Sequence, residues 1–204
     1  MQVSSPLTAC EQAVSAVFPK ILGLTVFSAP FDPRSWSGSA RSLFSSLQLK
    51  GNLVEAQSVD LTTRQKLLSA ARQPALNRRR LYLNVMKSRL SFAFRSENAR
   101  RVVEQTTHNY NVILQLGALF LPSVPKDVLH CSYHDGNTAV SRRSEFSYVK
   151  ASRQVLAQSW RNEQEFYRRV KLIFIGDGRP RHLTLIIYAQ RPQWQFNHFV
   201  MRCR

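Results

Sequence analysis

The chain has 204 residues, 44% of them hydrophobic, enough to build a buried core and to exclude general disorder. Its 29 Lys+Arg against 12 Asp+Glu give a formal net charge of +17, which predicts attraction to a polyanion without saying which one. No run approaches the about 18 uncharged apolar residues of a membrane span, and the first twenty residues lack a secretory-signal pattern, so a cytoplasmic protein is expected.

Cys10, Cys131 and Cys203 show no CxxC or Cys/His ligand spacing, which indicates neither a disulfide framework nor a zinc site; Cys131 is expected to be buried as a small apolar residue. In chain order, residues 21–29 form a short continuous apolar run, as expected for a strand buried on both faces. Two prolines and a glycine make 30–38 a loop. From Ser39, the positions Ala40, Leu43, Phe44 and Leu47 trace a helical stripe, and Gly51 stands where a C-terminal cap belongs. Leu53, Val54, Ala56 and Val59 suggest a second strand, Tyr110–Leu116 a third and Asp127–Tyr133 a fourth. Residues 144–169 read as one long helix, with Val149, Leu156, Trp160 and Tyr167 as its apolar stripe, leading into a strand-like run at Leu172–Ile175. Strands alternating with helices predict an α/β domain with a mostly parallel sheet.

The charge is uneven. Residues 61–110 hold 11 basic and 2 acidic groups, and the segment 76–95 interleaves cations with large apolar side chains. That composition fits a helix resting on an anionic membrane surface through Arg78, Arg79, Arg80, Lys87 and Arg89, or a helix packed on the sheet with a solvated arginine face. No RNP, HTH, KH or zinc-finger pattern supports a nucleic-acid partner.

Four segments in order resemble the N-terminal domain of GT-B glycosyltransferases of family four: Asp32-Pro33-Arg34-Ser35-Trp36-Ser37-Gly38-Ser39 with the following helix and Lys50–Val54, then Asn111–Phe120, Tyr133-His134-Asp135-Gly136-Asn137, and Glu163–Phe174. The resemblance covers about residues 21–175. It implies a Rossmann-like three-layer domain, one half of a GT-B fold, that takes part in moving a sugar from a nucleotide-sugar donor to an acceptor hydroxyl of a glycan or lipid-linked molecule, with no cofactor and no tightly bound metal. Peripheral contact with the inner membrane face would accompany lipid-linked acceptors.

The glycine between two small hydroxyl residues at a helix start lets backbone approach a ligand, which makes Ser37, Gly38 and Ser39 substrate-binding candidates together with Trp36; the alternative is a plain strand-to-helix turn with a serine cap. Trp36 has two readings, stacking on a ligand or packing over the loop. His134 and Asp135 follow a strand at the sheet's carboxyl edge, where the resemblance implies substrate-binding residues, and they are also the catalytic candidates; alternatively Asp135 caps a turn beside a solvated histidine.

Downstream the resemblance fails. Residues 176–204 hold one acidic residue, Asp177, and no glutamate, so the E-x7-E pair of the family's donor-binding domain has no counterpart. The expected division is a leader at 1–20, the acceptor-side domain at 21–175 and an anomalous tail at 176–204, for which the degeneracy of the genetic code permits a frameshift near Gly176. A separate chain supplying the other half is a further expectation, and the alternative reading is a basic, noncatalytic module binding anionic membrane or RNA.

Overall fold

The computed structural model describes residues 19–134, 152–176, 183–187 and 198–200. Seven strands form one sheet: β1 (Ile21–Thr25), β2 (Leu53–Ser58), β3 (Val112–Leu116), β4 (Leu129–His134), β5 (Leu172–Gly176), β6 (Leu183–Ile187) and β7 (His198–Val200), in the order β2-β1-β3-β4-β5-β6-β7. The pairings β1–β2, β1–β3, β3–β4 and β4–β5 are parallel, while β5–β6 and β6–β7 are antiparallel. The expected boundary at 175/176 therefore falls inside β5, and two strands beyond it extend the same sheet.

Among the described residues five helices cover the sheet: α1 (Ser39–Leu49), α2 (Thr63–Arg72), α3 (Arg78–Lys87), α4 (Arg89–Gln105) and α5 (Arg153–Arg169). The architecture is α/β and Rossmann-like, with three layers, because successive strand residues point to opposite faces and both faces are apolar. Ile21, Leu114, Leu116 and Cys131 meet Ala40 and Phe44 of α1 on one face. On the other, Leu22, Leu24 and Ile113 meet Ala99 and Val103 of α4, and Ile173 meets Phe166 of α5. Gly23 is part of this fit: a Cβ there would lie 2.5 Å from the Phe44 ring, so only glycine lets α1 settle this close to β1.

Several sequence expectations hold. The α1 stripe buries Ala40 and Phe44 with Leu43 and Leu47 packed beside them, and Cys131 is buried. Gly51 takes a left-handed φ of 70°, donating to Gln48 O while Asn52 N donates to Leu47 O, which closes the helix as a Schellman turn.

Others need correction. β1 stops at Thr25 rather than reaching residue 29, because Phe27 turns left-handed at φ 83°. The segment 76–95 is not one helix. Ser88, extended at φ −67° and ψ 153°, ends α3 and caps α4, its Oγ accepting from Ser91 N at 3.1 Å. The long helix begins only at Arg153, where extended Ser152 accepts from Val155 N; residues 144–151, Val149 among them, lie outside the described residues. Its buried seam is Val155, Ser159, Asn162, Glu163 and Phe166, with Leu156 and Tyr167 flanking rather than filling it. The apolar reading missed this register because α5 also faces α3, where Asn84 Oδ1 accepts from Ser152 N at 3.0 Å.

Candidate functional site

In a parallel sheet the chain order reverses between β1, whose next strand β2 lies on one side, and β3 on the other. Ligands of open α/β folds bind in the crevice outside the carboxyl ends of strands at such a point. The loop from Val26 to Gly38 leaves β1 at this edge and enters α1. Asp32 organises it: Oδ1 accepts from Arg34 N at 2.8 Å, and its carboxylate holds the Arg34 side chain through Nε at 3.1 Å and Nη2 at 3.0 Å. These bonds keep the Asp32 carboxyl below the usual carboxylate range.

Ser35–Gly38 form a short 3-10 turn that feeds α1. Gly38 occupies the N-cap of α1 at φ 90°, so the helix start carries no side-chain cap; Ser39 N donates to Trp36 O. An L-residue at that φ is strained, and the glycine is therefore required by the backbone conformation itself. The described residues at the start of α1 offer backbone N–H groups and a positive dipole end without an anionic side chain, a setting that suits phosphate or sugar oxygens.

Trp36 spans the crevice. Its ring approaches Gly117, the first residue after β3, so closely that a Cβ on Gly117 would lie 2.4 Å from Cη2, and it packs at 5.3 Å between centroids against Phe27 beyond β1. Of the two readings for Trp36, the structure displays packing over the loop. The loop also bears strain: Phe27 at φ 83° and Trp36 at φ 50° are the non-glycine residues with positive φ among those described, and each costs of order 1–3 kcal/mol.

Unmet polarity gathers in the same place. Among the described residues, the buried side-chain polar atoms without a hydrogen-bond partner are Ser28 Oγ, Ser35 Oγ and Trp36 Nε1. Leaving such a group unsatisfied costs about 1–3 kcal/mol each, so their concentration in one loop is not a feature that folding alone favours.

Beneath Trp36 the floor is held by a buried polar chain that the sequence reading did not single out. Gln115 Nε2 donates to Gly117 O and Phe120 O, both at 2.8 Å, fixing the turn after β3. Its Oε1 can only accept, so His130 Nε2, at 3.1 Å, carries the proton between them. Burial pushes the His130 imidazole down to about 4. Ser132 Oγ donates to Gln115 O at 3.2 Å, which leaves His134 Nε2 to donate to Ser132 Oγ at 2.7 Å.

His134 thus ends β4 at the carboxyl edge, as expected, but its side chain is 4% exposed and lies among Phe166, Tyr167 and Ser132 in the sheet–α5 interface. Its place is behind the crevice floor rather than in the crevice. Asp135 lies outside the described residues, and for Ser37 only the backbone is described. The signals for the missed residues were present: a glutamine inside an apolar strand needs buried partners, and a glycine immediately after a strand marks close approach.

A second buried group braces the loop from the side. Arg95 of α4 is fully buried, donates to Met86 O at 3.0 Å and to Asp60 Oδ1 at 3.4 Å, and sets its guanidinium 5.9 Å from the Phe27 ring centre. Lys66 Nζ completes the pairing of Asp60 at 3.0 Å.

The basic candidates separate. Arg78, Arg79, Arg80 and Arg89 are exposed, whereas Lys87 is half-buried, its ammonium lowered by desolvation against the opposing pull of Glu163. No helix among the described residues is long and apolar enough to cross a membrane. No family model, curated protein or solved structure matches the chain.

Proposed function

We propose that this domain is the acceptor-side half of a GT-B-type sugar transferase, and that the loop from Val26 to Gly38 with the start of α1 binds the oxygens of a sugar or sugar nucleotide. The observation that carries this reading is the coincidence, at the sheet's switch point, of two strained aromatic residues, three unpartnered buried polar atoms and an uncapped helix start. Each is unfavourable by itself. A polyhydroxylated, anionic ligand would supply partners to the polar atoms and to the helix start, and its binding would offset the strain held in the loop.

In this reading Ser39 and the backbone at Ser37 and Gly38 hold ligand oxygens, and Trp36 closes over them. Gln115, with His130 on its side chain and Ser132 followed by His134 on its backbone carbonyl, positions the floor, and His134 acts through it rather than on the ligand. Donor-side groups must come from a second lobe, in the same polypeptide or another, because stabilising the leaving phosphate needs preorganised cations and donors opposite this edge. The nucleotide sugar is substrate, and no cofactor is required.

Thermal shift with nucleotide sugars and with simple glycosides tests this directly. A ligand at a hundred times its Kd adds about 2.7 kcal/mol of stability. Ser39→Ala should abolish the ligand-dependent shift with the free domain as stable as the parent, and Gly38→Ala, strained at φ 90°, should abolish it at a cost of about 1–2 kcal/mol to the free domain. A shift of equal size in both variants would place the ligand elsewhere, and no shift with any sugar or sugar nucleotide removes the reading.

A further inference from the structure

Where α3 meets α4, opposite α5 and beside the turn after β3, the chain encloses a recess of about 190 Å³, its open mouth included, with Lys87, Ser88, Phe92, Ala118, Ser159 and Asn162 on its walls. Pockets for whole small molecules begin at roughly 300 Å³, so this one has room for a single small group. It lies on the sheet face that α4 and α5 cover, while α1 packs on the other. It is therefore separate from the Trp36 loop.

The walls hold donors in places where a helix seam normally carries apolar side chains. Ser159 is 5% exposed and Asn162 7%, both on the inward seam of α5. Asn162 Oδ1 accepts from Gln158 Nε2 at 3.0 Å, which leaves its amide N–H groups to donate elsewhere. Ser159 Oγ takes part in no hydrogen bond among the described residues, and unlike Ser28 Oγ and Ser35 Oγ it is not sealed from solvent but opens on the recess. Across from them Lys87 is drawn out of water, and Glu163 acts on it through charge rather than through a hydrogen bond. Ser88 and Phe92 bring the first turn of α4 to the same wall. Ser88 Oγ caps Ser91 N, the N–H groups of Arg89 and Leu90 have no partner within the helix, and the first turn carries no acidic residue.

We infer that this recess binds one carboxylate group, held by Lys87 Nζ, Ser159 Oγ, the Asn162 amide and the first turn of α4. Size and charge select that group. A carboxylate is flat, has three heavy atoms, carries one negative charge and accepts several hydrogen bonds, matching a wall of donors with one cation. A phosphate monoester carries about −1.5 to −2 at neutral pH, which a single lysine partly offset by Glu163 does not balance. A neutral hydroxyl would leave the lysine's charge unmet. The bound carboxylate would bridge α3, α4 and α5, and the site rests on nothing in the sugar-transfer reading.

Amide NMR of the full chain tests it, with sodium acetate exchanged against sodium chloride at constant ionic strength so that screening of the surface charge stays fixed. Saturable shifts are expected at the Arg89 and Leu90 amides and the Asn162 side-chain amide. Lys87→Met, which keeps an unbranched stem, should weaken acetate binding at least tenfold, and Ser159→Ala about tenfold through loss of a hydrogen bond to a charged group. If Lys87→Met misfolds, Ser159→Ala, which removes one oxygen, supplies the readout. Lys171→Gln, on an exposed residue elsewhere, should change little. Glucuronate and a short peptide with a free C-terminus carry the same group, and a gain over acetate by either identifies the source. Shifts that rise without saturating overturn the inference. So do saturable shifts unchanged in both variants, or methyl phosphate binding more tightly than acetate.

Discussion

Gly117 and Trp36 meet where two loops converge, and the contact leaves no room for a Cβ. Gly117→Ala should cost about 2–4 kcal/mol, part from holding alanine at φ 73° and part from collision with the indole. Denaturant unfolding in a Trp36→Ala background separates the two parts: there the collision vanishes and only the backbone share remains. Equal costs in both backgrounds would deny the contact its role.

His130 yields a prediction in pH. Its folded value near 4 lies below the ordinary 6.5, so the unfolded chain binds the extra proton first. The neutral imidazole's contribution is therefore complete above about pH 6.5 and falls as pH drops toward 4, by on the order of 3 kcal/mol across the window. The physical cause is burial, which disfavours the charged imidazolium. His130→Gln should flatten the stability curve between those values, and a slope that survives the substitution would assign the effect to another group.

Between elements, the helical layer is joined by small polar side chains. Ser88 ends one helix, starts the next, and links to Ser91, which in turn reaches Ser69 on α2. Ser88→Ala removes the α4 cap and leaves Ser91 short of a buried partner, which should cost about 1–2 kcal/mol in thermal unfolding. Hydrogen exchange should accelerate first in the amides of Arg89–Phe92. If exchange rises equally over all five helices, the cap is not what holds this junction. Such junctions evade periodicity because Ser88 sits between two apolar-bearing helices whose stripes, read together, imitate one.

At the scale of the molecule, a net charge of +17 opposes compaction. The exposed pairs Arg100–Glu97, Arg100–Glu104, Arg101–Glu97 and Arg169–Glu165 are solvent-screened and worth little. Repulsion should therefore outweigh them: raising salt from about 20 to about 200 mM should raise Tm, as the Debye length falls below the spacing of the surface cations. Calorimetry across that range decides it, and a falling Tm would mean that attractive pairs dominate.

The sequence by itself determined the layered α/β class, the strand–loop–helix–strand opening and the α1 stripe, because period-two and period-3.6 patterns and glycine punctuation are local properties of the chain. The position of the candidate loop at the sheet's edge was legible for the same reason. Only tertiary structure decided that Trp36 lies on Gly117, that His134 turns into the sheet–α5 interface and that Arg95 is buried. Those outcomes depend on which residues, scores of positions apart, arrive at one place, and on polar side chains finding partners that no local pattern encodes.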